Sequence, residues 1–321
     1  MLYIIANTNY FLTAFVLERL QGCKDIHVVS HEQPSRRWSG AVKKLLESLF
    51  PARWRRSMIF SAQYVAQLQA IGPGDAVLMF GVENGKELRI ICRHIRARRK
   101  TIFLWNPVRD YQQQSVRKLS RYVHALKRLD ANVATFDPVD AQVYDFQLVE
   151  QVYRDVSPWI KPEEDQDIDL YFVGQDKGRL PDLLCLREMA LAAGLTVHFH
   201  VTPDKRKTYT ETERRLLSDK PLTYSENLQL VNRARCLVEI VQSNQSGETI
   251  RSLEAAFFDR KLLTNRHQAV QDALHADDRV LIGLVHSPDV LQRFIRSQHG
   301  PVDRELLRQH DIVYWCRQFG S

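Results

Sequence analysis

The chain alternates short apolar runs rich in Val, Ile and Phe with longer stretches of helical periodicity. In the first half we predict strands over residues 2–6, 26–30, 58–61, 76–80, 101–105 and 132–136. The stretches between them that repeat every three to four residues predict helices over residues 62–71, 86–98 and 114–129. Strands that alternate with helices indicate βαβ units, and therefore a mostly parallel sheet covered on both faces.

A polar, acidic stretch with a proline and no periodicity, residues 161–167, predicts a domain boundary. A second α/β series follows it, with strands predicted over 170–173, 196–201, 236–241, 261–264 and 280–282 and helices over 180–193, 225–233, 249–258 and 287–296. The segment 302–319 also has helical periodicity. We therefore predict domains at 1–160 and 168–300, and a C-terminal helix within 301–321 that packs back on the first domain.

Composition is that of a globular chain of 321 residues, with 44% apolar and 26% charged positions. No stretch approaches the ~18 apolar residues that span a bilayer. The five cysteines are scattered and form no Cys-x-x-Cys pair, which favours a reducing compartment and argues against a disulfide framework or a thiolate metal site. The eleven histidines show no zinc-type spacing. We expect a cytoplasmic protein without a metal.

Positive charge is concentrated in the first half. Residues 1–160 carry 23 Lys and Arg against 14 Asp and Glu, and residues 161–321 carry 22 against 24. This imbalance predicts that the first half meets an anionic partner: nucleic acid, an anionic membrane surface or a phosphorylated glycan. The basic segment 36–56, in which Trp and Leu are interleaved, suits a helix on an anionic membrane, although a solvated surface helix fits equally well.

Ligands of open parallel sheets bind beyond the carboxyl ends of the strands. After the first strand of the second half comes a turn that contains Gly174, Lys177 and Arg179. Two glycines allow close approach of the backbone, a helix start follows, and two cations stand in the same turn, which together suit a pyrophosphate. An ordinary solvent-facing turn is the alternative.

A second candidate follows the strand 236–241. Ser246 and Gly247 precede Thr249 at a predicted helix start, which again suits phosphate or hydroxyl groups. Glu254 falls on the apolar face of that helix, where a carboxylate needs a partner. A ribose diol would supply one, and so would a buried ion pair with Arg251 or another basic residue.

In the first half, three turns after strands carry polar side chains. They contain Asn7 and Asn9, then Glu83, then Asn106 and Asp110. Glu83 and Asp110 are the carboxylates that the topology places best for a general base, which takes a proton from a hydroxyl within hydrogen-bond reach. Both also fit the role of ordinary turn residues.

Two motifs in the second half resemble the donor domain of GT-B glycosyltransferases. One is the Gly-x-x-Lys-Gly-Arg turn of residues 174–179, and the other is the Ser-Gly-x-Thr-x-Arg-x-x-Glu-Ala run that begins at Ser246, with Lys-Leu-Leu-Thr-Asn at 261–265. The similarity is greatest to bacterial enzymes of lipopolysaccharide-core and capsule assembly. It covers mainly residues 169–282, while the first half adds compatible topology and Trp105-Asn106-Pro107. The resemblance implies an α/β fold of GT-B type, with two Rossmann-like domains facing across a cleft.

The resemblance also implies how substrates are held. Glu254 would contact the ribose of a nucleotide-sugar donor, while Lys177, Arg179 and the helix start at Ser246 and Gly247 would contact its phosphates. Gly174, Thr249 and Arg251 complete this expected donor site. The first domain would bind the acceptor near Asn7, Asn9 and Asn106.

The implied reaction is metal-independent transfer of a sugar to a cell-surface glycan, such as lipopolysaccharide core, O-antigen or capsule, with the nucleotide-sugar as donor and no cofactor. A lipid-linked or oligosaccharide acceptor would place the enzyme on the inner face of the plasma membrane. Many relatives carry an acid where this chain has Ser246, so a non-catalytic nucleotide-binding scaffold of a polysaccharide assembly complex stays open. A basic nucleic-acid-binding protein is the other alternative, but no recognition signature supports it, so we expect no nucleic-acid partner.

Overall fold

The computed structural model describes residues 1–32, 60–108, 116–161, 166–242, 246–267, 274 and 276–320. The predicted membrane segment 36–56 and Asp110 lie outside these residues. Contacts divide the chain into two compact units, Met1–Glu150 with Ile312–Ser321 and Gln151–Asp311. The division after Glu150 falls earlier than the acidic stretch at which the sequence places the boundary. Among the described residues, no helix has the length and apolar character needed to span a bilayer.

The first unit contains a six-stranded parallel sheet in the order β2-β1-β3-β4-β5-β6. Its elements are β1 (Leu2–Ala6), α1 (Phe11–Glu18), β2 (Ile26–Ser30), α2 (Ala62–Ala70), β3 (Ala76–Phe80), α3 (Gly85–His94), β4 (Arg99–Leu104), α4 (Val116–Lys127), β5 (Asn132–Thr135), α5 (Pro138–Tyr144) and β6 (Gln147–Leu148). The fully buried β3 is apolar at every position, as a strand covered on both faces must be.

The second unit contains a five-stranded parallel sheet in the order β11-β10-β9-β7-β8. Its elements are a 3-10 turn (Ser157–Trp159), β7 (Ile168–Gln175), α6 (Leu180–Ala192), β8 (Val197–Thr202), α7 (Glu211–Arg214), α8 (Tyr224–Arg233), β9 (Ala234–Glu239), α9 (Ile250–Phe257), β10 (Lys261–Thr264), β11 (Val280–Ile282), α10 (Pro288–Arg296) and α11 (Arg304–His310). Helices α6 and α10 share one core cluster with Leu170 and Phe172 of β7. The intervening Tyr171 points to the other face, where its hydroxyl donates to Asn227 of α8.

The C-terminal residues belong to the first unit. Helix α12 (Ile312–Trp315) and a 3-10 turn (Cys316–Phe319) follow α11. The Trp315 ring lies 4.7 Å from the ring of Phe103 and 6.0 Å from that of Phe80, and its indole nitrogen donates to the Glu150 carbonyl at 2.7 Å. The terminal segment therefore completes the aromatic packing beside the first sheet.

Two element predictions differ from the structure. Phe60 and Ser61, the described part of the predicted strand 58–61, are not in a strand, because Ser61 caps α2 by accepting a hydrogen bond from the Tyr64 amide at 3.2 Å. The single helix predicted over 302–319 is broken at Asp311, which has extended backbone angles. The Asp311 carboxylate accepts a hydrogen bond from the Asp155 amide at 2.7 Å, which holds the break in place.

Candidate functional site

The candidate donor residues lie around the carboxyl edge of the second sheet. Tyr171 of β7 pairs with Leu237 of β9, so two residues further along each strand Val173 lies level with Glu239. The turn of residues 174–179 and the segment after Glu239 therefore leave the sheet side by side. Residues 243–245 lie outside the described part of the chain.

The turn after β7 brings Gly174 and Arg179 together. A Cβ built on Gly174 would lie 3.3 Å from Arg179 Nη1 and 3.3 Å from Phe172 Cζ, so the glycine leaves room for the guanidinium. The Arg179 guanidinium carbon is 6.0 Å from the centre of the Phe172 ring. Lys177 and Gly178 are both left-handed, with φ of 43° and 88°. A left-handed lysine is strained, so the surrounding structure must hold this turn.

Asp176 holds the turn in this conformation, and sequence reasoning missed this residue. Its carboxylate is fully buried. Oδ1 accepts from the Leu180 amide at 2.7 Å, and Oδ2 accepts from the Tyr209 hydroxyl at 2.8 Å and from Lys207 Nζ at 3.1 Å. Burial opposes the charged form, but the hydrogen bonds outweigh it and keep the pKa of Asp176 below its usual value. The turn is thus fastened to α6 and to the loop after β8.

Lys207 is the second residue here that sequence reasoning missed. The hydrogen bond to Asp176 raises the pKa of Lys207, and Nζ lies 5.0 Å from the centre of the Tyr209 ring. Lys177 is exposed and Arg179 is half-buried. Lys177 and Arg179 therefore lie at the start of the thirteen-residue helix α6, next to the ion pair of Lys207 with Asp176. The first amide of this helix donates to Asp176 and position 181 is a proline, so attraction of an anion here depends on the cations.

Thr249 serves as the cap of α9. Its hydroxyl accepts from the amides of Arg251 at 3.0 Å and Ser252 at 3.4 Å, and donates to Glu239 Oε1. Glu239, buried at the end of β9, also accepts from Thr264 and pairs with the buried Arg266 at 3.3 Å. Glu239 and Arg266 were not predicted. They fix the helix start to which the buried Ser246 and Gly247 lead.

Glu254 is satisfied within its own unit. Its carboxylate is 1% exposed and accepts from the Tyr224 hydroxyl at 2.7 Å, from Asn227 Nδ2 at 3.0 Å and from Arg251. Burial disfavours the charged guanidinium, but Glu254 raises the pKa of Arg251. The ion pair that the sequence left open as an alternative is therefore present. The ribose contact of Glu254 stays a prediction.

Helix α9 and helix α6 pack on opposite faces of the sheet. The network around Glu254 includes Asn227, which accepts from the hydroxyl of Tyr171 on the side away from α6. The structure thus forms two groups of candidate residues. One group, Gly174, Lys177 and Arg179, belongs to the turn after β7. The other group, Thr249, Arg251 and Glu254, belongs to α9 and its cap.

The first unit brings two predicted residues together at the ends of β3 and β4. Glu83 Oε1 accepts from the backbone amide of Asn106 at 3.2 Å and from its Nδ2 at 2.9 Å. The Glu83 carbonyl accepts from the Tyr122 hydroxyl at 2.8 Å. After β1, Asn7 Oδ1 accepts from the Asn9 amide at 3.2 Å and shapes that turn. Glu83 is therefore a positioned carboxylate rather than a freely rotating one.

His31, directly after β2, is a further buried group that sequence reasoning missed. Its Nε2 lies 2.9 Å from Glu87 Oε2 and its Nδ1 lies 3.0 Å from the Tyr64 hydroxyl. A carboxylate can only accept, so Nε2 carries a proton and Nδ1 accepts from Tyr64 when the ring is neutral. Burial, followed by the charges of Glu32 and Glu87, raises the pKa of Tyr64. Both ring nitrogens are thus occupied.

Known structures resemble this one along its whole length. A UDP-forming α,α-trehalose-phosphate synthase from Burkholderia vietnamiensis shares 12% identity and a TM-score of 0.52, with 99% of this chain and 98% of that chain covered. The chain has the GT-B type of fold. The prediction of two Rossmann-like α/β domains is confirmed.

Two further known structures are similar at lower TM-scores. The glycotransferase of kitacinnamycin is 13% identical, with coverage of 99% of this chain and 98% of that one and a TM-score of 0.47. MurG of Acinetobacter baumannii is 14% identical, with coverage of 100% and 95% and a TM-score of 0.41. No protein-family model matches the sequence, and no curated protein matches it.

Proposed function

We propose that the chain is a glycosyltransferase that takes its sugar from a nucleoside-diphosphate donor held by the second unit. The observation that carries this proposal is the turn after β7, where Lys177 and Arg179 precede α6 and the ion pair of Asp176 with Lys207 holds the turn in place. A diphosphate presents the charge that such a turn binds well. The GT-B fold agrees with this use of the second unit.

The proposed reaction leaves negative charge on the departing diphosphate. The acceptor oxygen attacks the anomeric carbon, the bond from that carbon to the phosphate oxygen breaks, and the electron pair stays with the diphosphate. Lys177 and Arg179 would stabilise that charge as it grows. Because these cations do the neutralising, we expect the transfer to proceed without an added divalent metal.

A base must take the proton of the acceptor hydroxyl if the reaction inverts the anomeric centre. Glu83 is the candidate among the described residues, because two hydrogen bonds from Asn106 orient its carboxylate. Asp110, the other predicted base, lies outside the described residues and stays a prediction from the sequence. The acceptor we propose is a growing cell-surface glycan, lipid-linked or oligosaccharide, which the resemblance to lipopolysaccharide and capsule enzymes supports.

Nucleotide binding tests the donor site. One member of a panel of UDP, GDP, ADP and CDP should raise the melting temperature. At a hundred times its Kd, that nucleotide adds about 2.7 kcal/mol to the free energy of unfolding. Lys177→Ala should remove most of the shift, and the exposed side chain makes loss of folding an implausible cause. Arg179→Ala should do the same. The exposed Lys205→Ala is the matched control, and equal shifts in all three variants would remove the turn from the site.

A second candidate function is the non-catalytic scaffold. It is favoured by the internal partners of Glu254, which leave its carboxylate engaged without a ribose, and by Ser246 at a position where relatives carry an acid. Chromatography of UDP-sugars and GDP-sugars incubated with the protein and an oligosaccharide acceptor separates the two. A nucleotide that binds without release of any sugar from its sugar nucleotide would identify a scaffold.

A further inference from the structure

The outer surface of α3 and α4 in the first unit carries a concentration of positive charge. The cations that share this surface are Lys86, Arg89, Arg93, Arg117, Lys118 and Arg121, and all six are exposed. On α3 they follow at intervals of three and four residues, and on α4 Arg117 and Arg121 are one turn apart, so each set forms a stripe along its helix. We call this surface the basic face.

The two stripes lie side by side. Leu88 and Ile91 of α3 pack in the same core cluster as Leu119 and Val123 of α4, so both helices cover the same face of the sheet. A Cβ built on Gly85 would lie 3.7 Å from the ring of Tyr122, which shows that the helices touch. Their outward sides therefore form one continuous surface.

Among the described residues, no counter-charge faces the basic face. Glu87 is the one carboxylate on the described residues of these two helices, and it is turned inward to His31 at 2.9 Å. Within the described part of the chain, no ion pair reaches the six cations. Like charges on one surface repel one another, so an anionic partner would stabilise them.

We propose that the basic face docks the protein on an anionic phospholipid membrane. The surface is formed by two helices packed on a sheet, and it presents cations without an exposed aromatic side chain among them. Proteins that bind single-stranded nucleic acid stack its bases on aromatic side chains, and proteins that recognise a duplex insert a helix or strand into a groove. The basic face offers neither feature. Cations alone suffice for adsorption on an anionic leaflet.

The basic face also lies close to the candidate acceptor residues. Helix α3 begins two residues after Glu83, and Tyr122 of α4 donates to the Glu83 carbonyl. A protein docked through these helices would hold the carboxyl edge of the first sheet near lipid headgroups. Only this link to a lipid-linked acceptor rests on the proposed function. Docking on the membrane is measured by vesicle binding and the donor site by nucleotide binding, so either proposal can fail without the other.

Sedimentation with vesicles tests the proposal. Parent protein should sediment with phosphatidylcholine vesicles that contain about 30% phosphatidylglycerol, and not with pure phosphatidylcholine, and about 0.5 M salt should release it. Each Lys or Arg near such a surface strengthens adsorption about fivefold. Arg89→Glu combined with Arg121→Glu should therefore weaken binding by about 25-fold or more.

The matched control reverses the same number of charges elsewhere. Arg187 and Arg293 are exposed on α6 and α10 of the second unit, and their change to Glu should leave vesicle binding intact. Circular dichroism and an unchanged melting temperature in the absence of ligand confirm that the Arg89/Arg121 variant is folded. The proposal is overturned if that variant sediments like the parent, or if the parent shows no preference for anionic vesicles. The proposal is also overturned, in favour of nucleic acid, if the parent binds a DNA duplex more tightly than vesicles and the Arg89/Arg121 variant loses that binding.

Discussion

Asp176 carries a negative charge in the interior of the second unit, and Asp176→Asn removes that charge while keeping the shape of the side chain. The asparagine oxygen can still accept from the Leu180 amide. Its amide group, however, would face Lys207 Nζ and the Tyr209 hydroxyl, which are 3.1 Å and 2.8 Å from the present carboxylate oxygen. Lysine has no acceptor to offer, so that contact becomes repulsive.

The size of the effect follows from the hydrogen bonds lost. Each bond to a charged group is worth about 1.5–3 kcal/mol, and two of them are disrupted. Lys207 is 35% exposed and regains water, which reduces the loss. We expect about 3 kcal/mol of destabilisation, or roughly 6–12 °C in the melting temperature of a unit of this size.

The pH dependence supplies an independent check on Asp176. Because the folded state lowers the pKa of this carboxyl, its contribution to stability is present above the unfolded value of about 3.9 and is lost as the pH falls through the lower folded value. The parent should therefore lose stability as the pH falls below about 5, and Asp176→Asn should lose less over the same range.

Thermal unfolding followed by calorimetry at several pH values measures both effects. Tyr209→Phe should cost part of the same free energy, because it removes one of the three donors. Asp219→Asn, at an exposed position, is the control and should change stability by less than about 0.5 kcal/mol. A change equally small for Asp176→Asn, or the same slope against pH in parent and variant, would refute the reasoning.

Two further substitutions test other contacts. Gly174→Ala would place a methyl group 3.3 Å from Arg179. We therefore expect the diphosphate to bind about tenfold more weakly, with little change in melting temperature. Calorimetric titration measures the affinity, and an unaltered affinity contradicts the assignment. Lys261 is 1% exposed, and its ammonium donates to the Phe294 carbonyl and to Ser297 at the end of α10. Lys261→Met should lower the free energy of unfolding by about 2 kcal/mol, because the carbonyls at the end of α10 lose a charged donor. Urea unfolding measures this, and an unchanged midpoint would show that the contact of Lys261 with the end of α10 does not stabilise the protein.

The strands could be predicted well from the sequence, because a parallel strand buried on both faces is a continuous apolar run. β1, β2, β3, β10 and β11 have the predicted bounds. Errors arose where a polar residue acts locally. Ser61 looked like the end of a strand, but its hydroxyl caps a helix.

The polar partners of the site were harder to predict, because they come from distant parts of the chain. Asp176 meets Lys207, and Glu239 meets Arg266, across loops whose paths no single-sequence pattern reveals. Glu254 shows the limit well. Its position on an apolar helix face predicted that it needs a partner, and Arg251, three residues away, is one. Helical spacing revealed this contact, whereas the hydrogen bonds from Tyr224 and Asn227 depend on how α8 packs.

The aromatic contacts of Trp315 make the first unit discontinuous in sequence. The second unit is a continuous stretch that ends at residue 311, whereas the first unit takes the residues that cover Phe80 and Phe103 from beyond that stretch. Residues 1–150 alone would leave both rings without this cover. The first unit therefore reaches its full aromatic packing only when the chain on both sides of the second unit comes together.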